Sequence, residues 1–187
     1  MIHGGNMNKK IQNLLSSKKI LITLLIAHTI IIIYYMFFGF GRAQVGSDLE
    51  GYRYSIIPTG IPLWYPKVLS FDTLKRWVFS LGNLLAFVPF GILIPLIFGI
   101  KYFKFIFIFL ISIFSLEILQ MVTYLGSFDI EDIMINVVGA SIGFSSYKMG
   151  NKSKLLSHRI IYTAFLILIF TIIMILFAEL VNSRMRF

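Results

Sequence analysis

Cysteine is absent from this chain of 187 residues, which excludes a disulfide framework, a thiolate nucleophile and a zinc-thiolate centre. Charge is scarce as well: Asp, Glu, Lys and Arg together make up 13% of the residues, and only 8 are acidic. No internal repeat is detectable, so the inverted-repeat plan of many transporters is missing. Neither a Ser-His nucleophilic pair nor a glycine loop that would cradle phosphate stands out. What is abundant is apolar surface, with 58% hydrophobic and 16% aromatic residues and a mean hydropathy of +0.86. An ordinary soluble domain is far less apolar than this.

A membrane-crossing helix needs about 20 predominantly apolar residues, and five such runs lie at about 20–40, 81–100, 105–124, 130–147 and 160–181. The expectation is an all-α integral membrane protein with about five transmembrane helices, forming a single membrane domain over 1–187 with no soluble domain. The first run follows a basic tail, 1–19, but its apolar stretch is longer than a short signal core and no small-residue cleavage site follows. It reads as a retained first helix, with the tail against the anionic cytoplasmic surface of a bilayer.

The net charge of +9 is better explained by topology than by nucleic acid, and no nucleic-acid partner is expected. With the N-terminus cytoplasmic, the inner side holds Lys9, Lys10, Lys18, Lys19, Lys101, Lys104, Lys148, Lys152, Lys154 and Arg159, ten bases and no acid. The outer side holds the other seven bases, and all eight acids fall outside or in outer helix halves. The base excess has the sense of the positive-inside rule. The segregation of acids points the same way.

Between the first two runs, 41–80 contains Pro58, Pro62 and Pro66 with Tyr52, Tyr54, Trp64, Tyr65 and Trp77. Tyr and Trp favour the membrane interface, so this aromatic-rich outer segment is expected to lie on the outer surface and cap the bundle. His28, in the first run, is either a proton relay or a residue hydrogen-bonded inside the bundle. The second run carries Pro89 and Pro95, which free backbone carbonyls that neighbours must satisfy; a kinked, central helix is expected. Asn83, near the outer end of that run, is placed to cap it or to face a site. The 148–159 stretch reads as a solvated cytoplasmic loop, and the last helix as featureless.

The acidic residues concentrate in 115–136. Glu117 and Gln120 are three apart and share a helix face, and Asp129, Asp132 and Asn136 share a face of the next helix. Glu117 lies about 10 Å below the outer surface at 1.5 Å rise per residue, where an isolated carboxylate costs several kcal/mol. Asp129 with an acid three residues later resembles a helix N-cap, which explains Asp129 well, Asp132 in part, and the other polar residues not at all. Gly139 and Gly143 have the GxxxG spacing that permits close helix contact.

Asn83, Glu117, Gln120, Asp129, Asp132 and Asn136 thus belong at the outer ends of three helices, a candidate outer-leaflet site. Their carboxylates and amides could ligate a hard cation such as Mg²⁺ or Ca²⁺, perform acid/base work on a sugar or phosphate head group, or bind hydroxyls by hydrogen bonds alone. Residue types do not decide whether the site is catalytic or which cofactor it uses.

The run Asn83-x-x-x-Phe87-x-Pro89-Phe90-Gly91, then Glu117-x-x-Gln120, then Asp129-x-x-Asp132-x-x-x-Asn136-x-x-Gly139, resembles the signature of the VanZ-like family of small bacterial membrane proteins. The resemblance covers about 53–143, including Arg53 and Pro58, which are similar to the family's Pro-containing outer segment. It implies a multi-pass protein of the bacterial cell membrane, linked through the family's name member to low-level teicoplanin resistance, without an established catalytic mechanism. The family often has an Arg shortly before the first Asp; here Gly126-Ser127-Phe128 stands there, leaving Lys75 or Arg76 to neutralise the carboxylates. Three functions follow as expectations: action on or binding of a cell-wall or lipid-linked ligand at the outer leaflet, an ion or proton pathway through His28 and Glu117, or a structural membrane partner.

Overall fold

The computed structural model describes residues 18–39, 51–63 and 70–185, apart from the side chains of Arg76 and Met185. Within these lie five long helices and one short parallel strand pair. In chain order they are α1 (Lys18–Phe38), β1 (Tyr54–Ser55), α2 (Phe71–Phe98), α3 (Tyr102–Val122), β2 (Phe128–Asp129), α4 (Ile130–Gly150) and α5 (Leu156–Met185). The Lys9-Lys10 tail and the Trp64, Tyr65 and Pro66 part of the aromatic segment lie outside the described residues. The protein is an all-α membrane protein.

Among the described residues four helices, α1, α2, α3 and α5, are long and apolar enough to cross a membrane. The fifth expected span, α4, falls short in hydropathy, because Glu131, Asp132, Asn136, Lys148 and several small residues interrupt it. The physical reason is its position. α4 packs on α2, α3 and α5, so its faces meet protein and need not match lipid.

α2 and α4 form the centre and share the most extensive contact in the bundle. They run parallel, Gly139 sitting against Leu84 and Gly143 against Val88. A Cβ on Gly139 would collide with the Leu84 carbonyl oxygen, one on Gly143 with that of Val88, and one on Gly91 with that of Ala140. Three glycines from two helices therefore set a backbone-to-backbone approach that no side chain would allow. On one side of this pair, Phe87, Phe90, Phe105, Phe109, Ile133 and Phe144 join Ile32 of α1 in an aromatic core. On the other, Leu84, Val88, Ile135 and Ile142 pack with Ala178 of α5 and with Leu63.

α2 begins ten residues before the apolar run that announces it. Ser70 and Thr73 form a capping box, each side chain bonded to the other's backbone N–H, which starts a helix in a stretch too charged to register as a span. At its far end Gly99 adopts φ 65 and donates to the Pro95 carbonyl at 2.9 Å, a left-handed stop. The expected 148–159 loop is likewise shorter, because α4 continues to Gly150 and α5 starts at Leu156. His28 proves to be a packing residue: its Nε2 lies 2.9 Å from the Ala86 carbonyl, and its ring stands 4.8 Å from that of Phe90.

The described part of the aromatic segment, 51–63, is docked on the bundle as expected. β1 pairs in parallel with β2, Tyr54 opposite Phe128 and Ser55 opposite Asp129, and the Phe128 N–H donates to the Arg53 carbonyl at 3.0 Å. Tyr52 stacks on Tyr124 with ring centroids 5.3 Å apart.

Candidate functional site

A cavity of about 270 Å³ opens at the end of the bundle that carries the 51–63 segment. Its walls come from four helices: Ile32, Tyr35 and Met36 of α1; Phe79, Asn83, Ala86 and Phe87 of α2; Glu117 and Gln120 of α3; Asp132 and Asn136 of α4. Five of the six polar residues singled out by spacing therefore meet in one space. Two are carboxylates and three are amides, and no Lys, Arg or His is among the described lining residues.

The sixth, Asp129, stands apart. With φ −131 and ψ 120 it is the N-cap of α4, its carboxylate accepting the Glu131 N–H at 2.8 Å. That satisfies one of the four donors a helix start leaves open. Asp132, one turn on, is half-buried and faces the cavity. Two acids three residues apart thus have different surroundings.

Asn83 also departs from the expectation that it might cap its helix. Because α2 starts at Phe71, Asn83 lies about three turns inside it and its side chain belongs to the cavity wall. Glu117 and Gln120 are buried, 2% and 1% exposed. Gln120 donates from Nε2 to the Met36 carbonyl at 2.6 Å. Met36 lies in the last turn of α1, where carbonyls have no intrahelical donor, so Gln120 ties the loose end of α1 to α3. Asn136 is 3% exposed, and its Oδ1 has no hydrogen-bond partner among the described residues. A buried amide oxygen left so costs about 1–3 kcal/mol, which makes it the site's clearest demand for a donor.

Two residues outside the expected set hold the 51–63 segment against the bundle. Glu131 Oε1 accepts from the Thr59 N–H at 2.6 Å, the Thr59 hydroxyl at 2.8 Å and the Gly60 N–H at 3.3 Å. Asn182 of α5 makes a reciprocal pair with Ile61, accepting its N–H and donating to its carbonyl, each at 2.8 Å. A lone amide in the apolar α5 was the only local sign of the second. Of the two bases considered as replacements for the family's Arg, Lys75 places its Nζ 5.9 Å from the centre of the Phe79 ring, a wall of the cavity; the Arg76 side chain lies outside the described residues.

Among the described residues no group of three or more His, Cys, Asp and Glu side chains is arranged to hold a metal ion. The cavity's described polar groups suit hydrogen bonding: acceptor oxygens from Glu117, Asp132 and Asn136, with amide donors from the Asn and Gln side chains.

No solved structure matches the chain. A curated relative, Protein VanZ of Enterococcus faecium, is 33% identical over 98 residues, which is 50% of this chain and 60% of the relative. The match therefore spans less than two thirds of that relative's length. The VanZ/LLP1 family model matches residues 24–156, a stretch that includes every cavity-lining residue and the whole α2–α4 glycine seam. The chain belongs to the VanZ/LLP1 family.

Proposed function

We propose that this protein works in the bacterial cell membrane, with its N-terminus cytoplasmic, and that its cavity binds a cell-wall or lipid-linked ligand at the outer leaflet. Binding there reduces the effect of teicoplanin-type lipoglycopeptides on the host. The observation that carries the reading is Asn136 Oδ1, buried in the cavity wall without a partner among the described residues. Polar groups are costly in a membrane bundle and are kept where they meet a ligand, a path or one another. Family membership and the likeness to Protein VanZ support the link to teicoplanin.

An ion or proton pathway would need His28 and Glu117 on one route. His28 is bonded to a backbone carbonyl and is not among the cavity-lining residues, so the geometry supports a binding site better. The test is teicoplanin susceptibility of a host carrying the wild type, Glu117→Gln or Asp132→Asn, with membrane abundance measured in parallel. Wild type should raise tolerance above the empty host, and both variants should return it to baseline at equal abundance. Tolerance unchanged by wild type, or kept by both variants, would overturn the proposal.

A further inference from the structure

Four helices wall the polar cavity, and three of them are joined. α2 is locked on α4 by the glycine seam, and α3 packs on α4. α1 closes the ring between α2 and α3 on slighter terms. Among the described elements its one extensive pairing is with α2, the smallest such pairing between helices, and only Ile32 and Phe37 of its 21 residues are buried. His28, Ile32, Tyr35 and Met36, spaced i, i+4, i+7 and i+8, form the stripe that faces the bundle. On the far side Ile26, Ile30, Ile33 and Tyr34 are exposed, and in a helix apolar enough to cross a membrane that side meets lipid. The cavity is therefore one helix away from the bilayer.

Two polar bonds fasten the stripe, one near each end. His28 Nε2 lies 2.9 Å from the Ala86 carbonyl of α2, with its ring 4.8 Å from that of Phe90. Eight residues on, about 12 Å along the helix, the Met36 carbonyl accepts from Gln120 Nε2 of α3 at 2.6 Å. Ile32 and Tyr35, the cavity's α1 wall, lie between. Gln120 lines the cavity itself, so a ligand that draws its amide inward takes the donor from Met36. At about 270 Å³ the space is at the small end of ligand pockets: it takes a head group and leaves a long hydrocarbon chain outside. Such a chain must pass between two wall helices. The seam between α2 and α4 has no room for a methyl group, whereas beside α1 the barrier is one hydrogen bond and apolar contact with the bundle. We propose that the outer half of α1 is a lateral gate, latched by Gln120 on Met36 and held at His28, through which a lipid-linked ligand enters from the bilayer with its chain still in lipid. The inference rests on the reading of the polar cavity as a binding site, and adds the ligand's source and its route.

The chain has no cysteine, so Ala86→Cys puts a single thiol on the cavity wall. The full chain in phosphatidylglycerol nanodiscs is labelled with dodecylmaleimide, which dissolves in the bilayer, or with a membrane-impermeant sulfonated maleimide. Ile30→Cys, on the exposed side of α1, corrects for partitioning. Adding Gln120→Leu should speed dodecylmaleimide labelling of Ala86→Cys about five-fold, the shift that one net hydrogen bond makes in an opening equilibrium. Labelling of Ile30→Cys, and labelling of Ala86→Cys by the sulfonated reagent, should not change. Gln120→Met, which keeps the length of the side chain and also lacks the donor, takes over should Gln120→Leu fold poorly. Equal rates with and without the Gln120 donor, or a gain confined to the sulfonated reagent, would overturn the gate. Teicoplanin tolerance of Asp132→Asn then separates the two readings. Tolerance lost there without gated labelling keeps the binding site and removes the gate; gated labelling with tolerance kept removes the binding site, and the lipid-linked ligand with it.

Discussion

Two stretches of one face of α4 lie a turn apart and meet opposite conditions. One carries Gly139 and Gly143 against the carbonyls of Leu84 and Val88, so close that a methyl group does not fit. The other carries Asp132 and Asn136 into a cavity of about 270 Å³. Along the glycine stretch polar backbone is excluded from water and held by contact; along the stretch before it, polar side chains are kept beside open space. The seam offsets the cavity, because a helix pair locked by backbone contact stays in place when its neighbouring turn is left incompletely packed. Packing and cavity thus occupy successive turns along one face of a helix, and substitutions in them should differ in kind.

The largest effect is expected at the seam. Gly139→Ala places a methyl group against the Leu84 carbonyl and should destabilise the bundle by about 1–3 kcal/mol, read as a lower melting temperature in detergent and reduced membrane abundance. A variant that melts like wild type would mean the helices can part at no cost. Next is the docked 51–63 segment: Glu131→Gln replaces a carboxylate oxygen that accepts three donors from Thr59 and Gly60. A loss of about 1–2 kcal/mol in local docking should follow, seen as faster proteolysis within 51–63 with little change in global melting. Smaller still, Gln120→Leu removes the bond to the Met36 carbonyl and should cost about 1 kcal/mol, measured by thermal melting.

The comparison is sharpened most by Asn136→Leu. Removing a buried oxygen that has no partner among the described residues should leave stability unchanged or raise it by up to about 1 kcal/mol, while protection against teicoplanin is lost. A variant that unfolds instead would show Asn136 to be part of the packing.

How much of this was legible beforehand depends on how local each signal is. The five apolar runs marked five helices, and the spacing of Glu117 with Gln120 and of Asp132 with Asn136 marked faces that do converge. GxxxG pointed to a close contact, but not to Gly91 as its third member. The start of α2 was hidden because Asp72, Lys75 and Arg76 depress hydropathy, although Ser70 and Thr73 carry the capping signal; missing it also misplaced Asn83 at a helix end. Glu131 and Asn182 could not be foreseen from spacing, since their partners lie 72 and 121 residues away. Such pairings exist only once the helices have packed. Asp129 and Asp132 look alike in sequence, and the helix start alone separates a capping acid from a cavity acid.

That last pair offers the most direct test. Asp132→Asn removes charge from the cavity and leaves the cap in place; Asp129→Ser removes charge from the cap and keeps a capping oxygen. With teicoplanin tolerance measured in one host at matched membrane abundance, the account predicts loss for Asp132→Asn and near wild-type protection for Asp129→Ser. Equal protection by both, or loss confined to Asp129→Ser, would contradict the claim that the cavity is where this protein acts.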